Sequence, residues 1–238
     1  MRLIAEAASF TFEPAPAVAR ARRVLIKPLA AYPLPHPVTT SPETIRAIVD
    51  GIRRVSDADI LLMEGNAEGR AMRPVYQALN YNFPRVLLLD VQDSVAVEVE
   101  NPLSRPFALP TFWIPNVVLS CDYLITVAPF KVIRGGGCFS IMNLLGLLPA
   151  TKYQQPGLRA LGIHKVVADL FFTVPFDLGV VDARCRFVGD EPTQGTAEAY
   201  NKIFLAEPAL ADRLASEAAG VSTEYLQLIE AAQSEFQQ

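Results

Sequence analysis

Histidine is scarce, cysteine nearly so, and positive charge is not in excess. The two histidines, His36 and His164, have no second histidine or cysteine at ligand spacing, which excludes a zinc site of imidazole and thiolate. The three cysteines, Cys121, Cys138 and Cys185, stand far apart and are odd in number. They suit neither a disulfide framework nor a four-thiolate metal site, and free thiols in a reducing cytoplasm are the expectation. With 21 Lys+Arg against 25 Asp+Glu, the net charge of −4 supplies no broad positive field, so nucleic acid is not an expected partner. Asp122, Asn143 and prolines interrupt the longest apolar runs before the roughly 18–20 residues that span a bilayer, and no membrane span is expected. Met1 to Phe12 lacks a basic segment followed by a continuous apolar one, so export is not expected either. No G-x-S-x-G elbow, Walker loop or G-x-G-x-x-G is present.

What is present is enough apolar residue to build a core. Of 238 residues, 51% are hydrophobic and 19% charged, which describes a globular chain rather than a disordered one. One α/β domain over residues 1–238 is expected at this length. Val24 to Pro28 reads as a buried strand stopped by proline, followed by a stiff loop with three prolines between Tyr32 and Pro37. Ser41-Pro42-Glu43 then signals a helix start, and Ile45, Ile48, Val49 and Ile52 repeat at helical spacing towards Val55. Asp59 to Glu64 is the next strand, Met72 to Asn80 a second helix and Val86 to Asp90 a third strand. Strands apolar throughout and separated by amphipathic helices predict a mainly parallel central sheet with helices on both faces.

Further on, Ser94 to Glu100 alternates with period two and predicts a small antiparallel β excursion within 94–116, pairing with the stretch that ends at Pro110. A strand centred on Tyr123 to Ala128, a helix over Phe139 to Leu147 and another within Pro156 to Val174 follow. A strand at Leu178 to Asp182, one more at Lys202 to Ala206, and helices over Ala209 to Ala219 and Thr223 to Phe236 close the chain.

In open parallel sheets the ligand crevice lies beyond the carboxyl ends of the strands. Strand ends here deliver Lys27, Glu64, Asp90, Lys131 and Asp182, each of which is alternatively a solvated loop charge. Lys27, Glu64, Lys131 and Asp182 are the candidate catalytic or charge-pairing groups. The segment Lys131 to Ser140 carries Gly135, Gly136 and Gly137 between a predicted strand and a predicted helix. Its backbone amides, with Lys131 and Arg134, are candidates to cradle an anion, the alternative being a flexible loop capped by Ser140. Cys138 at that helix start is either a depressed-pKa thiolate or a small core residue. Glu64, Asp122 and Asp182 are candidate ligands for a hard divalent cation, which needs no histidine. His36 in the proline loop is the better pH-sensitive contact, and His164 reads as structural.

Several segments together resemble the family catalogued as domain of unknown function 362. They are VLIKP (24–28), TTSPE (39–43), Met63-Glu64-Gly65, CDYLITVAPFK (121–131), NLLGLLP (143–149), Ala168-Asp169-Leu170, DLGVVDA (177–183), GDEPTQGT (189–196) and EPALADRLASEAAG (207–220). The resemblance implies a single α/β domain, fused in relatives to a ferredoxin-like module and described as an iron-sulfur centre protein. This chain has no C-x-x-C-x-x-C-x-x-x-C run, so no such cluster is expected on its own thiolates. Relatives tend to carry Lys-Pro-Asn where Lys27-Pro28-Leu29 stands here. They also tend to carry Pro-Lys-x-Lys-Thr-His, then a Lys before an Asn, so only Lys131 and Asn143 carry over from those motifs. Asn143 joins the glycine segment as a candidate cofactor-binding residue.

The leading expectation is a cytoplasmic α/β protein that binds a small anionic molecule, with Lys27, Lys131 and Arg134 as charge partners and no assigned reaction. Two alternatives stand beside it: a redox-associated partner acting in trans with a ferredoxin-like iron-sulfur protein, and a non-enzymatic scaffold using Phe107, Phe112 and Trp113 as an exposed patch. The residues leave the oligomeric state open.

Overall fold

A computed structural model describes residues 3–236; Met1 and Arg2, part of the amino-terminal stretch considered above, lie outside the described residues. The main sheet is built from β1 (Leu3–Glu6), β2 (Arg23–Pro28), β3 (Asp59–Glu64), β4 (Val86–Asp90), β7 (Tyr123–Ile133), β8 (Gly136–Cys138), β9 (Leu178–Glu191) and β10 (Gln194–Ala206). Its order is β1-β10-β9-β7-β2-β3-β4, with β8 added to β7. Strands β9, β7, β2, β3 and β4 run parallel, whereas β10 is antiparallel to β9, β1 to β10 and β8 to β7. The helices are α1 (Pro42–Val55), α2 (Arg73–Ala78), α3 (Asn116–Leu119), α4 (Gln155–Ala160), α5 (Ile163–Thr173), α6 (Pro208–Ala219) and α7 (Glu224–Phe236).

The strand alternation explains why both faces are covered. On β2, Val24 and Ile26 face a core shared with Ile45 and Ile48 of α1 and Val75 of α2, while Leu25 faces one shared with Val166 of α5 and Tyr225 of α7. The result is the mainly parallel α/β sheet with helices on both faces that the apolar strands predict. Helix α1 starts where expected. Ser41 Oγ accepts from Thr44 N at 3.2 Å, Pro42 occupies the first turn, and Ile45, Ile48, Val49 and Ile52 form the buried face.

Four expectations change. The antiparallel excursion pairs β5 (Ala96–Glu100) with β6 (Thr111–Pro115), beyond rather than before Pro110, because Asn101 closes the intervening loop onto the Pro110 and Leu109 carbonyls at 2.9 and 3.0 Å. Phe112 and Ile114 of β6 are core residues, and Trp113, on the opposite face, lies 3.9 Å under the Lys152 ammonium. The aromatic segment is thus mostly packed inside. The region read as a helix over Phe139 to Leu147 is a 3-10 segment, Met142–Leu147.

The largest change is at the glycines. β7 does not stop at Ala128; it runs to Ile133 and turns back as β8, so Lys131 to Cys138 is a two-residue β-hairpin and not a strand-to-helix loop. Arg134 and Gly135 have φ of 50° and 76°, the positive pair that a twisted two-residue hairpin demands. No atom lies within 4 Å of a Cβ added at Gly135, so Gly135→Ala tests the backbone alone. It is expected to cost about 1 kcal/mol, read as a lower urea midpoint at unchanged m-value.

Candidate functional site

The carboxyl ends of β2 and β3 meet the middle of the longer β7 and β9 beneath a proline-rich strap, residues 29–41, whose two ends are tied together. Thr40 N donates to Leu29 O at 2.9 Å, and Thr40 Oγ1 donates to Val127 O at 2.8 Å, giving a compact loop with neighbouring ends. Each charged group under the strap grips it or its base. Lys27, at the end of β2, and Glu64, at the end of β3, are fully buried and paired at 2.7 Å. Glu64 also accepts from Ala30 N at 2.8 Å and Gly65 N at 2.9 Å. Lys27 Nζ further donates to Asn143 Oδ1 at 2.7 Å and Pro28 O at 3.0 Å, while Asn143 Nδ2 donates back to Lys27 O at 2.9 Å. Every polar atom of this trio is used, which is what a buried ion pair needs to offset desolvation. Burial pushes the Lys27 pKa down, and the Glu64 charge opposes that shift. Gly146 lets the 3-10 segment approach so closely: a Cβ there would lie 2.1 Å from Glu64 Oε1 and 2.7 Å from Lys27 Nζ.

A second node forms around Asp182 of β9, also fully buried. Its Oδ2 accepts from Ser41 Oγ at 2.6 Å and Ser41 N at 3.1 Å, so the N-cap residue of α1 is simultaneously fastened to the sheet. His36 Nδ1 stands 3.8 Å from Asp182 Oδ2 and 3.2 Å from Thr39 O. A carbonyl can only accept, so Nδ1 carries a proton, and in the neutral ring Nε2 then holds the lone pair. That Nε2 is buried and has no hydrogen-bond partner among the described residues. Arg184 Nε lies 3.8 Å from Asp182 Oδ1 and donates to Thr44 Oγ1 at 3.2 Å.

Lys131 is the third node. Its side chain crosses from β7 to the strap, where Nζ donates to Val38 O at 2.7 Å and, across from the β9–β10 turn, to Pro192 O at 2.6 Å. Phe187 and Tyr32 rings lie 5.2 and 6.0 Å from it. It is 2% exposed, has no carboxylate partner among the described residues, and uses two of its three N–H donors. Burial pushes its pKa down to about 8. Since the unfolded chain holds that proton to about 10.5, the folded state carries a penalty below about pH 8 that fades as pH rises towards 10.5. The difference in stability between the wild type and Lys131→Met should therefore move in favour of the wild type by about 2 kcal/mol from pH 7 to pH 10. Urea titrations of the two proteins across that range check it, and a flat difference would contradict it.

Other sequence candidates lie elsewhere. Asp122 precedes β7 at the amino end of the sheet, exposed, with Oδ2 accepting from Arg22 N and Arg23 N at 2.7 and 3.0 Å. The length of the strands separates it from Glu64 and Asp182, so the three carboxylates are not one ligand set. Among the described residues no group of three or more His, Cys, Asp or Glu side chains is arranged to hold a metal ion. Arg134 sits roughly 25 Å further along β7 than Thr126, the partner of Lys27, at about 3.3 Å per residue, and pairs with Glu191 on the hairpin surface. Gly135, Gly136 and Gly137 go with it, so of the proposed anion cradle only Asn143 reaches the Lys27 node. Cys138 lies on β8 and not at a helix start, and burial pushes its thiol up to about 11, against a thiolate. Two surface cavities, one of about 330 Å³ beside Leu3, Phe10 and Leu205 and one of about 220 Å³ between α6 and α7, are lined by none of the strap residues.

Two buried carboxylates escaped sequence reasoning. Asp169 of α5 accepts from the backbone N–H groups of Phe107, Ala108 and Leu109 at 2.6 to 2.9 Å. Asp212 of α6 accepts from Ser140 N, Ser140 Oγ, Ile141 N and Tyr225 Oη at 2.5 to 2.9 Å, and burial pushes its pKa up to about 6 against those hydrogen bonds. Both fall in segments that resemble the family, Asp169 in Ala168-Asp169-Leu170 and Asp212 in residues 207–220, but nothing local marked either as a buried anchor.

A family model described as Domain of unknown function (DUF362) matches residues 24–219, a span that runs from the second residue of β2 through β10 and contains the strap and all three nodes. No curated protein matches the chain.

Proposed function

The chain belongs to the DUF362 family, and from that premise we propose that it binds a small anionic molecule under the strap, beyond the carboxyl end of β2 and against β7 and β9, with Lys131 as the principal charge partner. The observation that carries this reading is a nearly fully buried ammonium with no carboxylate partner among the described residues and one unused donor. A buried cation normally has a counter-charge, because desolvation makes an isolated one costly. Lys27 already has Glu64, and Asp182 is held by Ser41 and faces Arg184, so the uncompensated charge is at Lys131. An anion entering there takes the third donor of Nζ, beside the Val38 and Pro192 carbonyls. Arg184, a quarter exposed beside Asp182, is the second positive group on the same side of the strap. Arg134 is committed to Glu191 and contributes little.

Titration of the wild type with inorganic phosphate and with acetate, followed by calorimetry and by thermal unfolding, tests the proposal. Saturable binding is expected for at least one of them, lost in Lys131→Met and retained in Arg134→Ala. Absence of any saturable heat in the wild type, or undiminished affinity in Lys131→Met, would overturn it.

A further inference from the structure

His36 offers a feature that charge neutralisation does not use. Its Nδ1–H is committed to the Thr39 carbonyl, with the buried Asp182 carboxylate at 3.8 Å behind it, which in the neutral ring fixes the tautomer and leaves Nε2 as an acceptor. That acceptor is buried and unpartnered among the described residues, a state that costs free energy unless a donor arrives. The ring is two residues from Val38, whose carbonyl holds Lys131 Nζ, so both unused groups flank the same short stretch of the strap. One wants an anion. The other wants an O–H or N–H.

Resting on the anion reading above, we infer that the strap site selects an anion that carries its own hydrogen-bond donor, of which hydrogen phosphate and 2-hydroxycarboxylates are the two simplest forms. The anionic oxygens go to Lys131 and the ligand hydroxyl donates to His36 Nε2. A fully ionised oxyanion of equal charge has no such donor and would face the imidazole lone pair with oxygen lone pairs. Asp182 on β9 is the charged group beside the ring and orients it rather than meeting the ligand; Arg184 stands 3.8 Å from the other Asp182 oxygen, and Lys131 of β7 holds the Val38 carbonyl two residues along the strap.

At pH 8 phosphate is mostly the hydrogen-phosphate dianion, whereas sulfate is a dianion of similar size and shape without a proton. Calorimetric titration of the wild type with phosphate, sulfate, lactate and propionate separates the possibilities. Phosphate is expected to bind about tenfold or more tightly than sulfate, or lactate than propionate, the size expected from satisfying one buried acceptor. Whichever pair shows the preference identifies the source of the hydroxyl. His36→Phe should bring that ratio close to one while retaining binding; His36→Gln, which can donate to Thr39 O and present an amide oxygen to the ligand, should keep part of it. Lys131→Met should lose every member of the panel. Equal affinities within both pairs in the wild type, together with loss in Lys131→Met, overturn the donor requirement and leave the anion site standing. A preference undiminished in His36→Phe also overturns it, and no binding of any probe by the wild type removes both proposals. The wild-type ratios decide against the inference even if neither His36 variant folds.

Discussion

Lys27→Met is expected to lower the stability of the folded chain by about 3–5 kcal/mol, because it leaves a buried carboxylate without its counter-charge. Glu64 would retain the Ala30 and Gly65 amides, and Asn143 Oδ1 would lose the Lys27 ammonium that donates to it. Methionine fills most of the lysine volume, so little of the loss is a cavity. The second arm is Lys27→Met combined with Glu64→Gln. Glutamine removes the orphaned charge yet still accepts from Ala30, so the double variant should be more stable than Lys27→Met alone, a coupling of about 1–3 kcal/mol in a double-mutant cycle. Equilibrium urea unfolding measures all four corners. A single-variant loss below about 1 kcal/mol would mean that Glu64 is not held as one half of a dry ion pair.

That node was legible because its positions follow from local pattern. Val24-Leu25-Ile26-Lys27-Pro28 and Asp59 to Glu64 are strands whose last residues must lie at one end of a parallel sheet, and the Lys27–Glu64 pair follows from β2 and β3 being neighbours. Ser41-Pro42-Glu43 was equally local. The second contact of Ser41, to Asp182, spans 141 residues and has no signature in the neighbourhood of either residue. The misreading of the glycines has a specific cause. Pro129 ordinarily marks a strand end, yet here it sits at the register shift between β7 and β9, where a missing N–H is tolerated, and the strand continues. With β7 extended to Ile133, the glycines become hairpin residues and Lys131 becomes a strand side chain directed at the strap.

The largest effect outside the strap is expected at Asp212, a residue that no local pattern singles out because its partners Ser140 and Ile141 lie 72 and 71 positions away. Asp212→Ala would leave two backbone amides and the Ser140 and Tyr225 hydroxyls facing an apolar gap. The expected loss is about 3–5 kcal/mol at pH 5 or below. Asp212→Asn keeps one oxygen acceptor but turns an amide N–H group towards donors, so about half that loss is expected. The pH dependence has a definite sign. A carboxyl with a folded pKa of about 6 against 3.8 unfolded contributes stability that is fully present below 3.8 and lost as pH rises through 6. The margin of the wild type over either variant should therefore shrink by about 2–3 kcal/mol from pH 3.5 to pH 7, and a margin that grows instead would show the carboxylate to be preferred in the fold. Ser140 and Ile141 immediately precede the 3-10 segment that delivers Asn143 to Lys27 and Gly146 to Glu64. In Asp212→Ala, amide exchange at Ser140 and Ile141 should accelerate before global unfolding and bring the Lys27–Asn143 contact with it. Unchanged exchange at both amides would separate the anchor from the strap site and leave Asp212 as a purely local support.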